Sequence, residues 1–167
     1  MSIDDLYGER SYLRGRINAC EIKINELDKL VKRLEKDIEE LKEDKNRLKE
    51  IQRRTNIVIE NYYRSVSYTD ATKNSVSKYY NDCVHTSDWV SRITNVDNLA
   101  NGYIVFFKKV LLKAETIIKK LEEEIKKKLN SIEEYNNSIE RTKNEKSDAE
   151  ADLRRVQYEI DNYDDEE

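Results

Sequence analysis

The stretch "INELDKLVKRLEKDIEELKEDKNRL", Ile24 to Leu48, returns an apolar residue at alternating intervals of three and four. Ile24, Val31 and Ile38 occupy one series, Leu27, Leu34, Leu41 and Leu48 the other, and Lys45 interrupts the first. This is the heptad pattern, with the first series at a and the second at d, of helices that pair along a narrow seam. A half-buried strand would instead alternate with a period of two. Toward the N-terminus the a series continues through Ile17, Arg10 and Ile3, and the d series through Cys20, Leu13 and Leu6. Toward the C-terminus both run through Gln52, Thr55, Ile59 and Tyr62, then more weakly through Val66, Thr69, Lys73, Val76, Tyr80 and Cys83.

The second half repeats the pattern. Its a series is Ile104, Leu111, Ile118, Ile125, Ile132, Ile139, Lys146, Leu153 and Ile160. Its d series is Phe107, Ala114, Leu121, Lys128, Tyr135, Thr142, Ala149, Val156 and Tyr163. Between the two lies a segment rich in Ser, Thr, Asn and Asp, residues that compete with helix and favour caps and turns. Ser87 reads as an N-cap, with Asp88 near the positive end of the helix dipole, which puts the chain reversal just before Trp89. The expected fold is all-α: a long antiparallel coiled-coil hairpin, with helix one over 1–64, a tip and turn over 65–98, and helix two with its tail over 99–167. Whether 65–98 extends the hairpin or makes a short helical fold-back stays open.

Composition agrees. Charged residues make up 40 % of the chain, there is no proline and there are three glycines, and the mean hydropathy is -0.94. Disordered chains of this polarity are usually rich in proline and glycine, so long helices fit better. The 31 basic and 35 acidic residues are well mixed, which leaves no basic stripe to read as a nucleic-acid footprint. No apolar run approaches the ~18 residues of a membrane-inserted helix, and "MSIDDLYGER" has no secretory h-region. Cys20 and Cys83, on the order of 95 Å apart along one helix, are out of disulfide reach and suit a reducing cytosol.

An antiparallel register in which facing core residues have numbers adding to 166 pairs Leu13 with Leu153, Leu27 with Ile139, and Ile59 with Phe107. It also sets Arg14 against Glu150, Glu21 against Lys143, Lys42 against Glu122, Lys49 against Glu115, Arg16 against Asp152 and Lys23 against Glu145; only Asp44 and Glu124 clash. Charge agreement of this kind specifies register, although each exposed pair is worth only about 0.2–1 kcal/mol. Helix one alone would also support a parallel homodimer. Helix two would not, because Glu145 would meet Glu150.

Around "NIVIENYY" (56–63) and "YIVFFKKVLL" (103–112) the apolar residues outnumber what a two-helix seam needs. On the g side, Ile51 with Ile117 and Val58 with Val110 form apolar pairs, and Tyr103 joins them. A contiguous exposed patch of this kind marks either an interaction surface or a face covered by the chain's own tip. Those five residues are the candidate partner interface.

Chemistry is sparse. Asp82, Cys83, His85 and Asp88 lie close in sequence, but not at the spacing of a zinc site, and no glycine-rich phosphate loop is present. A nucleophilic Cys83 would also need an orienting base and a pocket. No catalytic, cofactor or metal site is expected.

A helical hairpin with Trp89-Val90-Ser91 near its turn and Tyr163-Asp-Asp-Glu-Glu167 at its end resembles the small WXG-type proteins of type VII secretion. It is also similar to their longer helical relatives associated with LXG-domain toxins. Ser91 stands where the strict motif has glycine, and the helices are about twice as long as in the smallest members. The resemblance implies a non-enzymatic adaptor that binds the helical N-terminal domain of a larger secreted toxin, or another small helical protein. Trp89, Ser91, Tyr163 and Glu167 would then form an export signal, on a protein that folds in the cytoplasm and is exported by that route. The alternative is a self-associating structural coiled coil, a tether or assembly protein built as a homodimer.

Overall fold

The computed structural model describes residues 2–80 and 84–163. They form an antiparallel helical hairpin of two α-helices, α1 (Ile3–Tyr79) and α2 (Val84–Tyr163). The contacts divide the chain into two compact units, one of Met1–Glu40 with Glu124–Glu167, the other of Leu41–Glu123. That division falls inside both helices.

Every buried hydrophobic residue among those described lies at an a or d position of the two heptad series. In the first unit Leu6, Leu13, Ala149, Val156 and Ile160 make one cluster, with Ile17 and Leu153 packed against it. Ala149 is fully buried, and its small side chain leaves room for Ile17, which the register sets opposite it. Thr142, the one buried polar residue among those described, donates its hydroxyl to the carbonyl of Ser138 at 2.8 Å, so that its own polar group does not go unpaired. In the second unit the buried positions are Ile59, Ile104, Ala114 and Ile118.

Cross-helix polar contacts carry the expected register, but not through the residues expected. Within the first unit Arg10 donates to Gln157 (3.4 Å), Arg155 approaches Glu9 (3.9 Å), Lys146 reaches Glu21 (2.8 Å) and Lys128 reaches Asp37 (2.8 Å). Within the second, Lys45 lies 3.7 Å from Glu122. The numbers of each of these pairs add to within two of 166, whereas nearer the tip Lys73 with Asp97 and Lys108 with Tyr63 add to 170 and 171. The cations come largely from the seam itself: Lys45, Lys128 and Lys146 take a or d positions and lay their aliphatic stems along it while the ammonium reaches a carboxylate opposite. Glu21 thus pairs with Lys146 where Lys143 was expected, and Glu150 with the same lysine where Arg14 was expected. Hydrogen bonds from Lys128 to Asp37 and from Lys146 to Glu21 raise both ammonium pKa values above the ordinary lysine range.

α1 begins with a capping box. The Ser2 hydroxyl accepts from the Asp5 amide (3.2 Å), while the Asp5 carboxylate accepts from the Ser2 amide (2.9 Å) and hydroxyl (2.7 Å). Those bonds from Ser2 hold the Asp5 carboxyl below its usual range.

The tip extends the hairpin. Residues 65–79 continue α1 and 84–98 continue α2, so the described residues make no fold-back. The hydroxyl groups that argued for turns are absorbed by the helix. Ser65, Thr69, Thr72 and Thr94 each donate to the carbonyl four residues back, at 2.8–3.0 Å. α2 starts at Val84, so the reversal precedes the position expected before Trp89, and Ser87 lies inside the helix instead of capping it. The Thr86 hydroxyl donates to the Tyr80 carbonyl at 2.8 Å and ties the start of α2 to the end of α1.

Candidate interaction surface

The second unit has a second apolar stripe beside its seam. On α2, Trp89, Val96, Leu99, Tyr103, Phe106, Val110 and Ile117 follow one another at intervals of three, four or seven residues, the spacing of a helix face. Val110 is half-buried, and the other six are exposed, Leu99 by 70 % and Tyr103 by 68 %. Ile51 and Val58 of α1, each 48 % exposed, fall on the same flank at the g positions opposite Ile117 and Val110. The expected candidates Ile51, Val58, Tyr103, Val110 and Ile117 are therefore brought together along one side of this unit. Val96 and Leu99, outside the apolar stretches singled out in the sequence, also belong to the stripe, as does Phe106 from within them; their three-and-four spacing with Tyr103 and Val110 is itself a heptad signal.

Exposure of large hydrophobic residues is concentrated in this unit. Of the large hydrophobic residues left exposed among those described, 15 belong to residues 41–123 and seven to the other unit, which has nearly the same number of residues. An isolated exposed leucine needs no explanation, whereas a contiguous apolar stripe does. Its middle is hollow. Leu99, Gly102, Tyr103, Phe106 and Phe107 line a shallow apolar groove. A Cβ built on Gly102 would meet nothing within 4 Å, so the missing side chain leaves open space on the helix surface.

Trp89 is covered over most of its surface, at 37 % exposed, and lines a small cleft with Val76, Tyr80, His85 and Thr86. It packs one end of the stripe while keeping an edge in solvent. Ser91 is exposed on the next part of α2. Tyr163 belongs to the other unit and is 41 % exposed at the last residue of α2, although it lies on the seam series. Glu167 lies outside the described residues.

A polar station interrupts the seam of the same unit. Lys73 and Asp97, both largely covered, form an ion pair, and Lys73 also approaches Asp70 at 3.4 Å. The Tyr62 hydroxyl donates to the Asp97 backbone carbonyl at 3.2 Å. The Asp97 carboxylate raises the Lys73 pKa above the ordinary lysine value. Each partner satisfies another, so the station locks the two helices and presents no unpaired group to a ligand. Elsewhere on α1, Glu50 is held by Arg53 (2.8 Å) and Arg54 (2.7 Å), which lower its carboxyl pKa to about 2.

Of the residues grouped in sequence as a chemical cluster, Asp82 and Cys83 lie outside the described residues. His85 is exposed and Asp88 is paired with Arg92 at 3.3 Å. Among the described residues no group of three or more His, Cys, Asp or Glu side chains could hold a metal ion, and no helix is long and apolar enough to cross a membrane. No family model matches the chain, and neither a curated protein nor a solved structure is significantly similar to it.

Proposed function

We propose that the chain is a non-enzymatic helical adaptor whose stripe on residues 41–123 docks a helix of a larger protein. The observation that carries this reading is the largely exposed run from Val96 to Ile117, a heptad-spaced face against which no described helix packs. Two helices with an apolar flank supply two sides of a three- or four-helix bundle, and a partner helix supplies the rest. The Trp89-Val90-Ser91 and Tyr163-to-Glu167 resemblance supports a more specific version. In it the partner is the helical N-terminal domain of a toxin exported by type VII secretion, and Trp89, Ser91, Tyr163 and Glu167 contribute to the export signal.

Affinity purification of the wild-type chain and of a Tyr103→Asp/Phe106→Asp variant from the native organism tests the docking surface. Both side chains are mostly exposed, so helicity should survive the change while a single large partner is lost. A partner retained by the variant would overturn the assignment. Trp89→Ala separates the finer claim: the export reading requires partner binding to persist while secretion of the partner falls, and unaltered secretion removes Trp89 from the signal.

A further inference from the structure

The stripe is bordered by uncompensated positive charge. Residues 41–123 carry 15 Lys and Arg against 11 Asp and Glu, whereas the rest of the chain carries 16 against 24. Along the stripe's own border, Arg54 is offset by Glu50 and Arg92 by Asp88. Lys109, Lys113 and Lys120 follow Phe106, Val110 and Ile117 by three residues each, which places them on the edge of the same face. None of the three makes an ion pair among the described residues.

We propose that the occupant of this face is an amphipathic helix that flanks its apolar residues with Asp and Glu, and that Lys109, Lys113 and Lys120 select it. The inference rests on the docking reading above and adds the partner's chemistry. The exposed portions of the stripe amount to several hundred Å², the size at which an apolar patch on a single chain marks an interaction site. A second copy of the same face would set these lysines against one another, and like charges across an interface suppress pairing. Acidic flanks would place carboxylates within reach of the three ammonium groups at the rim, where charge governs partner choice and association rate.

The test uses the full chain as bait and a displayed library of helical peptides. The peptides share one apolar face spaced at i, i+3, i+4 and i+7, with flanking positions varied among Asp, Glu, Lys, Arg and Ser. Selection should enrich acidic flanks, and repeating it on Lys109→Glu/Lys113→Glu/Lys120→Glu should enrich basic ones. A selected acidic peptide should bind the charge-reversed variant about tenfold more weakly than the wild type, with the difference shrinking as salt rises. Recovery of binders with unselected or basic flanks overturns the charge assignment and leaves the docking surface standing. Failure to recover any binder that Tyr103→Asp/Phe106→Asp abolishes overturns the docking surface, and this inference with it. Sedimentation of the bait as a dimer that the same double variant dissociates assigns the face to a second copy and overturns the proposal. So does adsorption to vesicles of mixed phosphatidylserine and phosphatidylcholine that a selected peptide cannot displace.

Discussion

Ile104 and Phe106 are two residues apart on α2, and the structure assigns them opposite energetic roles. Ile104 is 3 % exposed at an a position, and Phe106 is 60 % exposed on the stripe. Ile104→Ala removes three buried carbons, worth about 2.4 kcal/mol at ~0.8 kcal/mol each, and leaves a cavity as well. A seam between two helices relaxes readily around a void, so the expected cost is about 2–3 kcal/mol, toward the lower end of the usual range for such truncations. In a chain of this size that lowers the melting temperature by about 5–10 °C. Phe106→Ala gives up only the covered fraction of its ring, about 1 kcal/mol, and the better helix propensity of alanine returns up to about 0.5 kcal/mol. Thermal and urea melts followed by circular dichroism on both variants should therefore show a clear loss for the first and almost none for the second. Equal losses would mean that Phe106 is covered in the free chain, and the stripe would not be an open surface.

Three further outcomes follow from the same geometry. Gly102→Ala fills the groove between Leu99 and Phe106 without a clash, so it should stabilise the helix by about 0.5–1 kcal/mol yet weaken partner binding; a variant that gains stability at undiminished affinity would remove the groove from the interface. Lys45→Leu replaces a seam lysine by the residue the heptad favours, and should raise the melting temperature while broadening the distance distribution between spin labels at Lys49 and Lys119. An unchanged or lower melting temperature would contradict a seam that trades stability for register. The pH dependence has two limbs of opposite sign. Glu50, with its folded pKa depressed to about 2 from 4.5, contributes stability above pH 4.5 that is lost as pH falls toward 2; Lys146, with its pKa raised above 10.5, contributes below pH 10.5 and loses its share as pH climbs through the raised value. Glu50→Gln should flatten the acid limb alone and Lys146→Met the alkaline limb alone, as read by urea midpoints across pH.

The seam was legible because burial in a two-helix pair depends on periodicity, and periodicity is written directly in positions such as Leu13, Ile38, Ile118 and Val156. Register was legible from charge, since the flanking residues place opposite signs across the seam in six pairs. Its agents were not. The flanking residues Arg14 and Lys143 carry the charge code in the sequence, whereas the pairing of the seam lysines at positions 128 and 146 is not written there, because stem burial with an ammonium at the rim is a property of side-chain length that a heptad label does not convey. The turn was misplaced toward Trp89 because Ser, Thr and Asn preferences are local. In the helix the hydroxyls of Ser65, Thr69 and Thr72 bond backward, and half-buried partners such as Val66 and Val76 keep α1 in contact with α2. The apolar flank could be suspected from Ile51, Val58 and Val110. Its continuation through Val96, Leu99 and Phe106 needed the helix to run unbroken through the tip, which composition argued against.

Site-specific photo-crosslinking in the native cell tests the docking surface most directly. A benzophenone amino acid at position 103 is compared with one at position 158, since Tyr103 and Tyr158 are 68 % and 70 % exposed and differ in lying on and off the stripe. One dominant adduct is expected from position 103, mapped by mass spectrometry to a helical segment with acidic flanks in a larger protein, and none of comparable yield from position 158. Equal labelling at both positions, or adducts from position 103 to this chain alone, would contradict the docking surface.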